Sequence, residues 1–187
     1  MDLNKTTTPK SEQDLAQTPK WFVLAAEELL GFKFELDVCA SPGTKKCKRF
    51  YSQDKNGLTR TWRRYNWCNP PYSDITPWLL KAHTEARRGN FSCLLIPDKP
   101  EVKYVRLCRY FADSIFHMPF RLNFLRPDNS EFLDKNGKKQ GPKFPVMLAL
   151  FTPWGISTQV RDIYIDFREH KNVDCCTEDV SRETSGK

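Results

Sequence analysis

The chain has 187 residues, a formal net charge of +7 and a hydrophobic fraction of 39%. This length suffices for one domain with a buried core, and every apolar run falls short of the ~18 residues that a membrane-spanning helix needs. The polar N-terminus also lacks the apolar segment of a signal peptide. These features argue against a membrane protein and predict a cytoplasmic one.

Seven cysteines occur, and their pattern favours free thiols over a disulfide framework. Their number is odd, none belongs to a CxxC pair, and no histidine stands at zinc-finger spacing from one. We therefore predict reduced thiols and no bound metal.

Positive charge is concentrated in the body of the chain. Residues 18–168 carry 25 lysines and arginines against 15 aspartates and glutamates. Such an excess suggests a polyanionic partner, whose phosphates would make binding depend on salt. Taken alone, the charge is equally compatible with a basic protein that binds no polyanion.

The first 17 residues are polar and lack periodicity, so we predict a flexible N-terminal arm. A helix is predicted next, with Thr18 as its cap, Pro19 in its first turn and Gly31 at its end. Its buried stripe recurs at helical spacing and consists of Phe22, Ala25, Ala26 and Leu29.

Strands and helices then alternate. The predicted strands are FELDVCA (34–40), YNWC (65–68), FSCLLIP (91–97), DSIFHM (113–118) and two strands within 120–151, the second at 147–151 and joined to the first by a long basic loop. The predicted helices are one that Thr76 and Pro77 open and one at 101–112. Residues 156–168 fit either type, and the acidic tail 169–187 is predicted to be disordered.

This alternation predicts one α/β domain over residues 18–168, with helices on both faces of a sheet. Ligands of such sheets bind in the crevice beyond the carboxyl ends of the strands. The loops that follow residues 36–40 and 67–68 both lie at that edge.

The segment WCNPPYS (67–73) continues directly from the strand YNWC. Two consecutive prolines cannot continue a strand or a helix, because each lacks a backbone donor and fixes φ. The strand therefore ends in a stiff loop that presents Asn69 and Tyr72 at the sheet edge. The same letters also fit a cis-proline turn that merely packs a tyrosine.

A loop of this kind suits the activation of a conjugated amino group, whose lone pair is delocalised into its ring. The side-chain oxygen of Asn69 and the carbonyl of Pro70 can accept hydrogen bonds from the amine and so localise the lone pair, and the rigid Pro-Pro unit fixes that carbonyl in advance. Tyr72 offers a face on which a base can stack. S-adenosylmethionine carries the methyl group that such an amine would take, without a metal.

Five motifs occur in order: TPKW (18–21), LDVCAS (36–41), WCNPPYS (67–73), LLIP (94–97) and FPVMLALF (144–151). As a set they resemble the phage-type DNA N-6-adenine methyltransferases, which are Dam-like enzymes with an NPPY motif. The resemblance spans about residues 18–152. NPPY by itself is shared by several methyltransferase families.

The resemblance implies a Rossmann-like S-adenosylmethionine-dependent methyltransferase fold, with a mostly parallel sheet and a reversed last strand. It implies S-adenosylmethionine as cofactor and methyl transfer to N6 of an adenine flipped out of double-stranded DNA, either at one site or permissively. We further expect a monomer, located in the bacterial host cytoplasm if a phage encodes it.

Roles carry over by motif. The resemblance assigns the catalytic positions to Asn69, Pro70, Pro71 and Tyr72, and the cofactor-binding positions to Thr18, Pro19, Lys20, Trp21, Asp37, Cys39, Ala40 and Asp54. Two features depart from the family pattern: Asn69 stands where many relatives have Asp, and the first cofactor motif is not glycine-rich. An asparagine still offers an acceptor oxygen, and the small side chains of Cys39 and Ala40 still allow a cofactor to approach.

DNA contacts are predicted in the region between the last helix and the last predicted strand. Phe120 and Phe124 are candidates for holding the base or the duplex, and the candidate phosphate contacts are Lys135, Lys138, Lys139 and Lys143. The lysine-bearing loop fits an exposed hairpin tip equally well. Asp98 and Lys99 follow a strand's carboxyl end and are further candidates for lining the site.

Other functions stay open. NPPY also occurs in enzymes that methylate cytosine N4 in DNA, guanine N2 in ribosomal RNA or glutamine in release factors. A DNA-binding module that has kept the fold but lost the activity is the alternative outside the enzymes, although NPPY and TPKW are both intact here.

Overall fold

The computed structural model describes residues 16–133, 136–139, 144–154 and 159–170. Within these ranges the predicted α/β class is confirmed, since helices alternate with strands along most of the chain. The helices are α1 (Lys20–Leu30), α2 (Thr76–Ala86) and α3 (Lys103–Phe111). The strands are β1 (Leu36–Asp37), β2 (Arg49–Phe50), β3 (Tyr65–Cys68), β4 (Phe91–Pro97), β5 (Ser114–His117), β6 (Val146–Phe151) and β7 (Arg161–Tyr164).

The strands form one mostly parallel sheet in the order β2-β1-β3-β4-β6-β5-β7. Of the described strands, β6 alone is reversed, and it lies between β4 and β5. The prediction of a reversed last strand is therefore wrong in one respect, because β7 follows β6 and pairs with β5 in parallel. The cause is directional: β6 returns the chain to the amino edge of the sheet, so the next strand runs forward again.

Both faces of the sheet are covered, which explains the unbroken apolar letters of its central strands. Along β4, Leu94 and Ile96 pack on the face that carries α2 and α3. Cys93 and Leu95 pack on the opposite face, which α1 and Phe167 cover. Because the whole of β4 is buried, it holds the neighbouring strand β3 rigidly at the centre of the sheet.

The ends of α1 correct one part of its prediction. Gly31 ends the helix as predicted, with a φ of 72° and its N–H donated to the carbonyls of Glu27 and Glu28. At the other end Pro19, not Thr18, occupies the cap position, and the Thr18 hydroxyl makes no capping hydrogen bond. Like α2, α1 has 11 residues, and no helix in the described ranges could cross a bilayer.

Two predicted strands take a different form. The segment 34–40 pairs only at Leu36–Asp37, because the chain then bends around the Asp37 carboxylate. The first strand predicted within 120–151 is instead a segment of isolated bridges, residues 122–133, which we call the strap. Its Leu125 pairs with both Gln17 and Glu131. Gln17 was placed in the flexible arm, yet only 3% of its surface is exposed.

Gly57 marks a tight contact beneath the carboxyl edge of the sheet. A Cβ at this position would lie 2.1 Å from the carbonyl oxygen of Val38, and that backbone atom cannot swing aside. We expect Gly57→Ala to lower the free energy of unfolding by about 2 kcal/mol or more, as overpacking of a core does. Gly43→Ala is the matched control, because its nearest atom would be 3.9 Å away. Equal melting temperatures of the two variants in differential scanning calorimetry would contradict this reading.

Candidate active site

The carboxyl ends of β1 and β3 lie side by side at one edge of the sheet, where parallel strands of this class place their ligands. β1 delivers Asp37 and the loop that follows it, residues 38–46. β3 delivers the NPPY loop, residues 69–72. The two segments that the sequence analysis selected as cofactor and catalytic motifs therefore emerge from adjacent strands.

Asn69 is held in one orientation by the chain segment that precedes α1. Its Nδ2 donates to the carbonyl oxygen of Ala16 at 3.3 Å. Its Oδ1 is buried and has no hydrogen-bond partner within the part of the chain that the structure describes. A buried acceptor without a donor costs about 1–3 kcal/mol, so this oxygen is a position where a ligand N–H would be stabilised.

Tyr72 forms an aromatic wall beside this oxygen's loop. Its ring meets Phe124 at 6.1 Å and Phe144 at 6.0 Å between centroids. The Nζ of Lys99 lies 4.4 Å from the centroid of the Phe144 ring. The Tyr72 hydroxyl is buried and meets no hydrogen-bond partner in the described ranges. Burial raises its pKa well above the usual range, so the phenol is neutral at physiological pH. The proline peptide bonds in the loop are trans.

The TPKW segment lies next to the NPPY loop, because the carbonyl of Ala16, two positions before Thr18, accepts a hydrogen bond from Asn69. Thr18 and Pro19 are buried, Lys20 is exposed, and Trp21 is half-buried with its ring 6.3 Å from Phe120. The hydroxyl oxygen of Thr18 is buried and has no hydrogen-bond partner among the described residues. With Asn69 Oδ1 and the Tyr72 hydroxyl, it is the third buried polar atom of this kind in the region.

Asp37 shapes the loop that follows β1. One carboxylate oxygen accepts from the Cys39 N–H at 3.3 Å and the other from the Lys46 N–H at 3.0 Å. Burial raises the pKa of Asp37 to about 6, although these hydrogen bonds and the Lys46 charge oppose the shift. Both oxygens are therefore engaged within the loop, in which Cys39 and Ala40 are half-buried.

Asp54 lies further from the centre of the edge than the other predicted cofactor residues. It belongs to a short 3₁₀ helix, Gln53–Lys55, after β2, and its side chain is exposed. A hydrogen bond from the Ser52 side chain lowers the pKa of Asp54. The residue is thus ionised and accessible.

Of the predicted DNA contacts, the structure brings Phe124 to Tyr72 and leaves the lysines on the surface. Lys138 and Lys139 are exposed, and Lys139 forms an ion pair with Glu131 at 2.7 Å. Lys135 and Lys143 lie outside the described residues. Lys139 also forms an isolated antiparallel bridge with Leu133.

Three residues that border this region have no site role in the predictions from sequence: Gln17, Lys46 and Phe144. Phe144 stands at the start of the FPVMLALF motif, so its aromatic character beside an apolar run was a usable signal. Gln17 and Lys46 are joined by a 2.7 Å hydrogen bond across 29 positions of sequence. No local pattern marks such a pair.

A second cluster of polar side chains, at the carboxyl edge of the sheet, connects three strands through hydrogen bonds. His117 at the end of β5 contacts Asp98 at 2.7 Å through Nδ1 and Asp162 at 2.9 Å through Nε2. These contacts join the carboxyl ends of β4 and β5 to the second residue of β7. Among the described residues, no group of three or more His, Cys, Asp and Glu side chains has an arrangement that could hold a metal ion, and the five described cysteines are free thiols.

Comparison with known proteins shows which sequences the whole chain resembles. The family model for DNA N-6-adenine-methyltransferase (Dam) matches residues 5–168. The DNA N-6-adenine-methyltransferase of Haemophilus phage HP1 (strain HP1c1) is 32% identical over 172 residues, which cover 90% of this chain and 96% of that protein. The DNA N-6-adenine-methyltransferase of Escherichia phage T1 is 37% identical over 133 residues, which cover 70% of this chain and about half, 52%, of the T1 protein.

The burial of Asp37 makes a prediction about pH. Its pKa is higher in the folded chain than in the unfolded one, so the folded state binds the extra proton and this group's contribution to stability falls as pH rises from about 4 to about 6. Relative to Asp37→Asn, which does not titrate, wild type should gain about 1 kcal/mol when the pH is lowered from about 7.5 to about 5. Urea unfolding of both proteins at the two pH values measures this difference. A difference in unfolding free energy between the two proteins that does not change with pH would show that the pKa of Asp37 is not raised.

Proposed function

This chain belongs to the DNA N-6-adenine-methyltransferase (Dam) family, and we propose that its carboxyl-edge crevice takes S-adenosylmethionine as methyl donor and an adenine flipped out of double-stranded DNA as acceptor. The observation that carries this proposal is the buried, unpartnered Oδ1 of Asn69, held beside the aromatic wall of Tyr72. The finer fold assignment, a Rossmann-like methyltransferase fold, is part of the same proposal.

The asparagine oxygen acts on the amine of the base. The lone pair of adenine N6 is delocalised into the ring, and a hydrogen bond accepted by Oδ1 draws the amine out of conjugation. The carbonyl of Pro70 supplies a second acceptor, which the following proline fixes in direction. Because Nδ2 is already bonded to the Ala16 carbonyl, the amide is preorganised to accept and not to donate.

The aromatic side chains provide a surface on which the flipped base can stack. A base taken out of the helix loses its stacking partners, which costs a few kcal/mol. Tyr72 offers a replacement surface, and Phe124 and Phe144 brace its ring. Lys99, which lies over Phe144, is placed to meet the phosphate of the extruded nucleotide.

The residues around Asp37 and Thr18 fit a cofactor that is partly polar and partly apolar. The unpartnered Thr18 hydroxyl can bond a polar group of the ligand, and the small side chains of Cys39 and Ala40 let it approach the backbone of the loop. Lys20 and Trp21 flank the methionine end in this proposal, and the exposed Asp54 meets the ribose or adenine group. When bound, S-adenosylmethionine supplies an activated methyl group.

The proton released from the amine needs an acceptor. Asn69 is an amide and Tyr72 is a neutral phenol, and neither is a base at physiological pH. We therefore propose that water takes the proton after transfer, so that the two side chains act by orientation and polarity alone. A monomer acting in the cytoplasm remains a prediction.

Replacement of the key amide tests its role. Asn69→Ala should lower kcat about 100-fold or more, in the range found when one preorganised hydrogen-bonding group is removed from an active site. Binding of sinefungin, an unreactive analogue of the donor, should stay within a few-fold of wild type in isothermal titration calorimetry, because Asn69 contacts the base. Asn69→Asp, which keeps an acceptor oxygen, should retain far more activity than Asn69→Ala.

The matched control is Asn66→Ala, which removes a buried amide from the amino-terminal half of β3, where Asn66 donates to the Arg63 and Phe91 carbonyls. It should cost stability but leave kcat close to wild type below its melting temperature. Wild-type turnover in Asn69→Ala would remove this residue from the proposed role.

The substrate is tested by offering alternatives side by side. Labelled S-adenosylmethionine is incubated with unmethylated duplex DNA, ribosomal RNA and a release factor, and modified nucleosides are identified by mass spectrometry. N6-methyladenine in the DNA is the expected product. N4-methylcytosine, or label found in RNA or protein alone, would contradict the proposal, and so would label in none of them.

A further inference from the structure

The Gln17 side chain lies between two parts of the candidate site, the loop after β1 (residues 38–46) and the strap, and forms hydrogen bonds to both. Its Oε1 accepts from the Nζ of Lys46 at 2.7 Å. Its Nε2 donates to the carbonyl of Arg126 at 2.8 Å and to the Oδ1 of Asn129 at 3.0 Å. Its backbone pairs in both directions with Leu125, at 2.8 Å and 2.9 Å. The side chain therefore joins the loop after β1 to the strap.

The neighbours of Gln17 in sequence extend this link to the catalytic loop. The carbonyl of Ala16 accepts from Asn69 Nδ2, and Thr18 carries the unpartnered hydroxyl. On the far side of the Gln17 amide, the backbone of Lys46 donates to the Asp37 carboxylate. On the strap, Phe124 precedes the residue that pairs with Gln17 and contacts Tyr72.

Both ends of the Gln17 amide are hydrogen-bonded, the oxygen to the loop after β1 and the nitrogen to the strap. Removing this side chain therefore breaks the hydrogen bonds to both segments at once. Without Gln17 the Lys46 ammonium, which is partly buried, loses a partner, and the Arg126 carbonyl loses a donor. Each group then finds water separately, because an unpaired buried polar group costs about 1–3 kcal/mol. The loop and the strap would relax independently of each other.

We propose that Gln17 is a positioning residue for the methyl transfer: it fixes the Ala16 carbonyl that orients the Asn69 amide, and it couples the loop after β1 to the strap. A donor that orders the loop after β1 then also orders the strap through the Gln17 hydrogen bonds, so the two ligands bind cooperatively. This inference rests on the proposed function and adds to it a coupling between its two substrates.

The test measures the coupling itself. Binding of a fluorescent unmethylated duplex is followed by anisotropy with and without saturating sinefungin, for wild type and Gln17→Ala. Sinefungin should strengthen DNA binding by wild type about 5-fold or more, within the range of measured couplings between sites. In Gln17→Ala the ratio should approach one, while Asn66→Ala, which also lacks a buried amide, should keep the wild-type ratio.

Two conservative variants separate positioning from mere structural support. Gln17→Glu keeps the acceptor for Lys46 but loses the donor to the strap, so its affinity for sinefungin should stay near wild type while kcat and the coupling ratio fall. Lys46→Met removes the hydrogen bond between Gln17 and the loop after β1. It should weaken sinefungin binding and leave DNA binding without sinefungin unchanged. These variants also carry the test if Gln17→Ala does not fold.

Several outcomes would overturn the inference. A wild-type ratio of one, wild-type ratios in Gln17→Ala and Gln17→Glu, or an equal loss of the ratio in Asn66→Ala would each show that Gln17 only supports the fold. If wild type methylates DNA and binds both ligands in such a case, the proposed function stands and the coupling alone fails. A wild type that binds neither sinefungin nor the duplex would contradict both.

Discussion

The hydrogen bond from Asn69 to the Ala16 carbonyl connects two parts of the chain that are 53 positions apart. It uses the amide nitrogen on a backbone acceptor and leaves the amide oxygen buried, with no donor among the residues that the structure describes. An asparagine can accept and donate, and only the side of the amide that stays free decides which of the two a substrate meets. The chemistry proposed for this protein depends on that choice being fixed before the substrate arrives.

The rest of the fold serves this geometry. β4 is buried along its whole length and holds β3 in register, so the end of β3 is a rigid point from which the Pro-Pro turn departs. The cores on the two faces of the sheet let α1 approach from one side and α2 from the other. Because α1 begins immediately after Pro19, the segment 16–18 is delivered across the end of β3, where it meets Asn69. Because Asn69 and Tyr72 are both neutral, the proposed reaction uses neither of them as a base.

Features encoded by short stretches of sequence were predictable. The Pro-Pro pair ended the strand YNWC where the structure ends it, the apolar runs gave β4 and β6, and Gly31 marked the end of α1. Long-range pairings were not. Gln17 looked like part of a polar arm because its partners, Leu125 and Lys46, lie far away in sequence. Thr18 looked like a helix cap because its residue type suits one, whereas Pro19 takes the cap position and leaves the hydroxyl buried and unused.

The central claim is that the oxygen of Asn69 receives the amine of the target base while its nitrogen stays on the Ala16 carbonyl. A crystal structure of the protein with sinefungin and an adenine-containing duplex tests this most directly. The account predicts an everted adenine against Tyr72, with its N6 within hydrogen-bonding distance of Asn69 Oδ1 and sinefungin between the loop after β1 and Thr18. An adenine bound elsewhere, or an Asn69 amide that has left Ala16 and turned its nitrogen toward the base, would contradict it.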